Sequence, residues 1–239
     1  MRLLLISNST NSGEAYLEYP KRNIRIFLGN KKIKALFIPY AAVTFSYDEY
    51  EEKIRARFTE VGHDVGSIHH FADPLKAVTE APAIVVGGGN TWMLLRHLRD
   101  NKLITAVREK VLSGTPYIGW SAGSNVACPT IMTTNDMPVT APLSLKAFNI
   151  IPFQINPHYL DANPEGHAGE TREQRILEFV EVNRKTFVIG LREGTMLLLE
   201  DNKLSLIGPR NARLFRYGVD PVEISRNDDL SFLMMKRKR

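Results

Sequence analysis

Short apolar runs and longer amphipathic stretches alternate through the first half of the chain. Leu3–Ile6 and residues 35–38, 64–68, 83–86 and 115–118 read as β-strands leading into polar or glycine-rich turns. Continuous apolar runs of this length suit strands covered on both faces. Between them, apolar residues recur with a helical period over residues 14–28, 48–61, 91–99 and 103–112. Pro20 interrupts the first of these stretches, Gly62 and Ser113-Gly114 end two others, and Asp73-Pro74 opens a short helix. Strand–helix alternation predicts an α/β fold, with a mostly parallel central sheet and helices on both faces. Residues 7–10, 39–44, 87–90 and Ser121 all follow strands. Sites in such sheets gather at the carboxyl ends of the strands, so these four places should share one edge.

The texture changes after Asn125. Residues 129–169 are rich in Pro, Asn and Thr and show little periodicity; a loop of this length in a compact domain is usually functional. Thr171, with Gln174 three residues on, opens a helix with a capping-box pattern. The end is β-rich, at residues 187–190, 195–199, 204–207 and 214–217, with a turn at Asp201-Asn202-Lys203. No repeat and no boundary divides the chain, so residues 1–239 are expected to form a single α/β domain ending in a basic tail from about residue 232.

Composition narrows the function classes. The chain has 239 residues, 44% hydrophobic, and a net charge of +5. Lys236, Arg237, Lys238 and Arg239 supply four of those charges; the remainder is nearly balanced, 27 basic against 26 acidic. No nucleic-acid partner is indicated. No apolar run is long enough to span a bilayer, and the apolar start is too short for a signal-peptide core. The single cysteine, Cys128, permits no internal disulfide or cysteine-based zinc site and fits the cytoplasm. It is expected late in the helix that follows Ser121, as a small packed residue.

The strongest chemical signal is Gly119-Trp120-Ser121-Ala122-Gly123. The Gly-x-Ser-x-Gly pattern between a strand and a helix describes a tight turn that exposes a serine nucleophile at a helix N-terminus. A serine needs a base, and the base needs an orienting acid. His63, His69, His70 and His97 read as surface or satisfied residues. His158, in Gln154-Ile155-Asn156-Pro157-His158, follows an apolar run at residues 150–153 that reads as a short strand, which favours it over His167 in the same irregular region. Asp136 and Glu193 are both open as the acid, and Glu193 follows a strand. Gly87-Gly88-Gly89-Asn90 lacks the lysine of a P-loop and the spacing of a dinucleotide fingerprint. Its better role is to supply an oxyanion donor at Gly88, paired with the N–H of Ala122. Arg172, in the first turn of a helix, can hold a substrate carboxylate.

Asn8-Ser9-Thr10, Gly87-Gly88-Gly89-Asn90-Thr91, the Ser121 motif, Thr133-Thr134-Asn135-Asp136-Met137-Pro138, Ile155-Asn156-Pro157-His158 and the run from Pro164 through His167 and Arg172 to Ile176 together resemble the peptidase E family. The resemblance spans Leu3 to about Pro209. It implies a class I glutamine-amidotransferase-like, flavodoxin-like three-layer sandwich and a cytoplasmic serine peptidase without a metal cofactor, cleaving dipeptides with N-terminal aspartate. It implies Ser121 as nucleophile, His158 as base, either Asp136 or Glu193 as the acid, and Arg172 in substrate binding. Glutaminases of this fold carry the acid two residues past the histidine; here that position is Leu160. A cyanophycinase-like hydrolase of aspartate-linked polymer and a non-catalytic binding protein on the same scaffold are the competing readings. The oligomeric state, monomer or homodimer, is not legible.

Overall fold

The computed structural model describes residues 1–163, 165–166 and 168–235. Five strands run parallel: β1 (Leu3–Ile6), β2 (Lys34–Ile38), β3 (Asp64–Ser67), β4 (Ile84–Val86) and β5 (Tyr117–Trp120). β6 (Gln154–Tyr159) and β7 (Val188–Arg192) open a second sheet. The chain then returns to the first sheet through β8 (Met196–Glu200) and β9 (Lys203–Ile207). β10 (Ala212–Arg216) and β11 (Val219–Ile224) complete the second. The strand orders are β3-β2-β4-β5-β1-β8-β9 and β11-β10-β7-β6.

Among the described residues, seven α-helices accompany them: α1 (Lys21–Leu28), α2 (Tyr47–Glu60), α3 (Pro74–Glu80), α4 (Thr91–Asp100), α5 (Leu103–Leu112), α6 (Ala122–Asn125) and α7 (Arg172–Val182). Alternate residues of each parallel strand serve opposite faces. Leu4, Ile6, Phe37 and Val85 pack with Phe27 of α1 and Ile54 and Phe58 of α2. Leu3, Leu5, Ile38 and Val86 pack with Val78, Leu94 and Val107 of α3, α4 and α5. The second cluster also takes in Ile155, Ile189 and Leu214 of the smaller sheet, so one core runs beneath both sheets. Among the described residues, no helix is long and apolar enough to cross a membrane.

Three local expectations are corrected. Pro20 does not interrupt a helix; it occupies the N-cap of α1, where its missing N–H costs nothing, and residues 16–19 before it form turns. α6 stops at Asn125 and does not reach Cys128. The reason is competition for acceptors: the carbonyls of Val126, Ala127 and Cys128 take the N–H groups of Phe148, Ile150 and Asn149, so the incoming segment replaces the next helical turn. Residues 150–153 form no strand; the strand starts at Gln154. β11 was not foreseen. It is a largely exposed edge strand containing Pro221, and it lacks an apolar run to announce it.

Candidate active site

β5 delivers Ser121 onto the loop edge of the large sheet in a positive-φ conformation outside the left-handed helical region, φ 52° and ψ −113°. Such a state is costly for a residue with a side chain and needs support on both sides. The Ser121 N–H donates to Ile6 C=O at 3.0 Å, and the Ser121 C=O accepts from the N–H groups of Ser124 and Asn125, each at 3.0 Å. Gly123 lets the turn close: a Cβ there would lie 2.2 Å from Val86 O.

His158 arrives from the other sheet by an irregularity. Pro157 pairs with Leu191, but Tyr159 pairs with Arg192, so β6 has one residue more than β7 at this point. That extra residue is His158, with φ 53°. A bulge re-aims a side chain out of the ladder. Here the imidazole Nε2 lies 2.9 Å from Ser121 Oγ and Nδ1 lies 2.7 Å from Glu193 Oε1. The His158 N–H donates to Ser7 Oγ at 3.0 Å, and that buried hydroxyl donates to Leu191 C=O at 2.7 Å.

Glu193 stands at the corner where the chain leaves β7 for β8. Both sides of the corner are held. Arg192 before it is largely buried and donates to Asp161 and to both oxygens of Glu223, and these carboxylates raise its pKa further. Gly194 after it donates its N–H to Asn8 Oδ1 at 2.9 Å, and Tyr19 OH donates to the same oxygen at 2.7 Å. Ser7, Asn8, Tyr19 and Arg192 therefore support the site. Ser7 and Asn8 lay in a loop that the sequence placed on this edge, and nothing local marked Tyr19 or Arg192.

Of the two acids left open by sequence, the structure brings Glu193 to the imidazole and takes Asp136 elsewhere. The Asp136 carboxylate accepts from the Thr91 N–H at 2.7 Å, from Thr91 Oγ1, and from Thr134 Oγ1 at 3.1 Å. It thus caps the N-terminus of α4, where backbone donors favour a negative charge. Arg172 is not part of the Ser121 cavity either. It lines a neighbouring cavity of about 190 Å³ with Asp136, Asn156 and Arg175. It is half-buried and makes no hydrogen bond or ion pair among the described residues. Burial, with Arg175 nearby, lowers its pKa, and Asp136 opposes that shift. Leu160 is partly exposed, and His167 lies outside the described residues. His69 and His70 meet carboxylates as expected of satisfied residues, whereas His63 is buried and His97 packs against the Tyr40 ring.

The Ser121 cavity has a volume of about 570 Å³, and its lining includes Tyr16, Glu49, Tyr50, Lys53, Gly88 and His158. Gly88 presses on Ser121: a Cβ there would lie 3.1 Å from Ser121 Cβ. Its carbonyl is anchored by Tyr50 OH at 3.0 Å, while its N–H has no partner among the described residues. Ala122 is the first residue of α6, so no intrahelical carbonyl can reach its N–H. Two donors are thus available beside Ser121. Burial raises the pKa of Tyr50 well above the usual phenol value and that of Tyr16 to about 12, so both hydroxyls keep their protons.

The model of peptidase family S51 matches residues 3–207. The chain belongs to peptidase family S51. Its relatives include the Peptidase E of Nostoc sp., 50% identical over 233 residues, a match covering 98% of this chain and 96% of that protein. The Peptidase E of Salmonella typhimurium is 46% identical over 224 residues, covering 94% and 97%. Two solved structures share the fold. A peptidase from an acI-B1 Actinobacterium has a TM-score of 0.67 at 18% identity, covering 97% of this chain and 96% of its own. A putative peptidase E protein from Listeria monocytogenes has a TM-score of 0.63 at 20% identity, covering 87% and 98%.

Proposed function

We infer that this S51 peptidase is a serine dipeptidase acting on Asp-X dipeptides, with Ser121 as nucleophile, His158 as base and Glu193 as orienting acid. The observation that carries this reading is the unbroken line from Ser121 Oγ through the imidazole to Glu193 Oε1. As Ser121 Oγ attacks the aspartyl carbonyl, His158 Nε2 takes its proton. Glu193 holds Nδ1–H and stabilises the imidazolium. The N–H groups of Gly88 and Ala122 receive the oxyanion. Collapse returns the proton to the leaving amine and leaves an aspartyl ester on Ser121. Water, deprotonated by His158, then releases aspartate and restores the hydroxyl.

The cavity volume suits a dipeptide. Arg172 lines the neighbouring cavity, half-buried and without an ion pair among the described residues, and is the group assigned to an aspartate side chain that reaches out of the Ser121 cavity; a guanidinium binds a carboxylate bidentately. The lone cysteine is buried, as suits a reducing cytoplasm. Product analysis tests the proposal. Wild type should cleave Asp-Leu and spare Leu-Asp, and Ser121→Ala should cleave neither. Cleavage of Asp-Leu by Ser121→Ala at the wild-type rate would overturn the serine mechanism, and equal cleavage of both dipeptides would overturn the specificity.

A further inference from the structure

Two imidazoles and two carboxylates converge at the carboxyl end of β3, outside the Ser121 cavity. A single 3₁₀ turn, Ile68–His70, sets His69 and His70 side by side, with ring centroids 3.9 Å apart. Asp48 and Glu51, three apart on α2 and so on one helix face, lie over them. His69 Nε2 is 2.9 Å from Asp48 Oδ1. His70 Nε2 is 3.3 Å from that oxygen and 2.7 Å from Glu51 Oε2. The potential ligand atoms of the four residues all lie within 4.8 Å of one another.

We propose that Asp48, Glu51, His69 and His70 bind a single zinc ion that fastens α2 to the turn after β3. Imidazole nitrogen and carboxylate oxygen are zinc ligands at about 2.0–2.2 Å, so a tetrahedral set places its ligand atoms about 3.4 Å apart. The separations above, from 2.7 Å up to at most 4.8 Å, bracket that value. The surroundings are built to orient these ligands. His69 Nδ1 lies 2.6 Å from Ser67 Oγ, the contact that holds a histidine with Nε2 free for a metal. Glu51 is a buried carboxylate, its side chain 4% exposed. One oxygen accepts from the Ser67 N–H at 2.9 Å and from Arg55 at 2.6 Å, which turns the other toward His70. Ser67 thus supports a ligand from each element, through its hydroxyl and its N–H.

The position assigns the ion a structural task. At 100° per residue, Asp48 and Glu51 lie on the side of α2 opposite Glu49, Tyr50 and Lys53. Those three line the Ser121 cavity. The ion would brace the helix from behind while its other side forms the cavity wall. Hydrolysis at Ser121 uses none of the four ligands.

Competition against a chromophoric zinc chelator tests the site on the intact, metal-stripped protein. Wild type should take up one zinc per chain, and its Tm should rise with added zinc. His69→Gln and His70→Gln should each weaken uptake by at least about 100-fold and remove the rise in Tm; Ser67→Ala should weaken it about 10-fold. His158→Ala removes the imidazole of the peptidase site and should leave uptake intact. In wild type, one equivalent of zinc should shift the imidazole nitrogen resonances of His69 and His70, a readout that needs no variant to fold. No uptake at about 10 µM free zinc, roughly −7 kcal/mol on the affinity scale, would overturn the proposal. So would uptake unchanged in folded His70→Gln, or zinc shifts confined to other histidines.

Discussion

The hydroxyl of Ser7 joins His158 to its neighbouring strand: it accepts the His158 N–H at 3.0 Å and donates to Leu191 C=O at 2.7 Å. One side chain at the end of β1 thus closes the gap that the extra residue opens between β6 and β7. Ser7→Ala should lose both bonds in a fully buried position. Leaving such groups unpaired costs about 1–3 kcal/mol. Chemical denaturation should show that loss, and kcat should fall in the folded variant because the imidazole is no longer held. Wild-type kcat in Ser7→Ala would show that the bulge holds its shape alone.

Ser121 occupies a conformation that glycine tolerates far better than serine or alanine. Ser121→Gly and Ser121→Ala should both be inactive, with Ser121→Gly the more stable by about 1 kcal/mol. Equal denaturation midpoints would mean that the turn stores no strain.

Glu193→Gln should lower kcat by roughly 10⁴-fold, the scale for losing the acid of a serine triad. Its Tm should barely move, since the corner is held by Arg192 and Gly194. Asp136→Asn should instead lower stability by about 1 kcal/mol, because it removes the charge at the start of α4. Near-normal turnover by Glu193→Gln would break the assignment of the acid.

Arg172→Ala should remove most of the preference for Asp-X over Asn-X. A charge-assisted hydrogen bond is worth about 1.5–3 kcal/mol, so kcat/KM for Asp-X should fall roughly 10- to 150-fold. Retention of the full preference would place recognition of the carboxylate on another residue.

Cys128 is buried under Ile155, whose N–H points to its sulfur at 3.2 Å, and burial pushes the thiol up to about 12. The folded pKa is raised, so the folded chain holds this proton while the unfolded chain releases it above about pH 9. The stabilisation is complete below that value and is lost as pH rises from about 9 to 12, at about 1.4 kcal/mol per pH unit. Cys128→Ala should lose stability less steeply across that window. The native thiol should resist alkylation at pH 8, and hydrolysis should survive the substitution.

Strands β1, β2, β4 and β5 were legible because each is a mostly buried apolar run, whereas β3, with Asp64 and Gly66, rested on its place in the alternation and the turns before α1 were hidden by a helical period. The turn at Ser121 was legible because strand, serine and small residues are adjacent in the chain. His158 could be chosen, but its bulge could not, because the mismatch exists only against Leu191 and Arg192, more than thirty residues later. Glu193 and Asp136 both read as loop acids, and only the strand before Glu193 spoke for it. The corner between β7 and β8 separates them, and that corner depends on Asn8 from the far end of the chain. His69 and His70 looked like ordinary polar residues because their carboxylate partners lie about twenty residues upstream on a helix.

The bulge also separates what this region needs in order to fold from what it needs in order to react. The pairings Pro157 with Leu191 and Tyr159 with Arg192 would sit in one regular ladder if His158 were excised. The residue proposed to carry the proton is therefore the one the sheet could do without. A chain shortened by that single position would keep its neighbours in register, gain a continuous strand, and have no base. Reactivity at this edge depends on a miscount between two strands, and any insertion or deletion in β6 or β7 that restored the count would silence the serine without touching it.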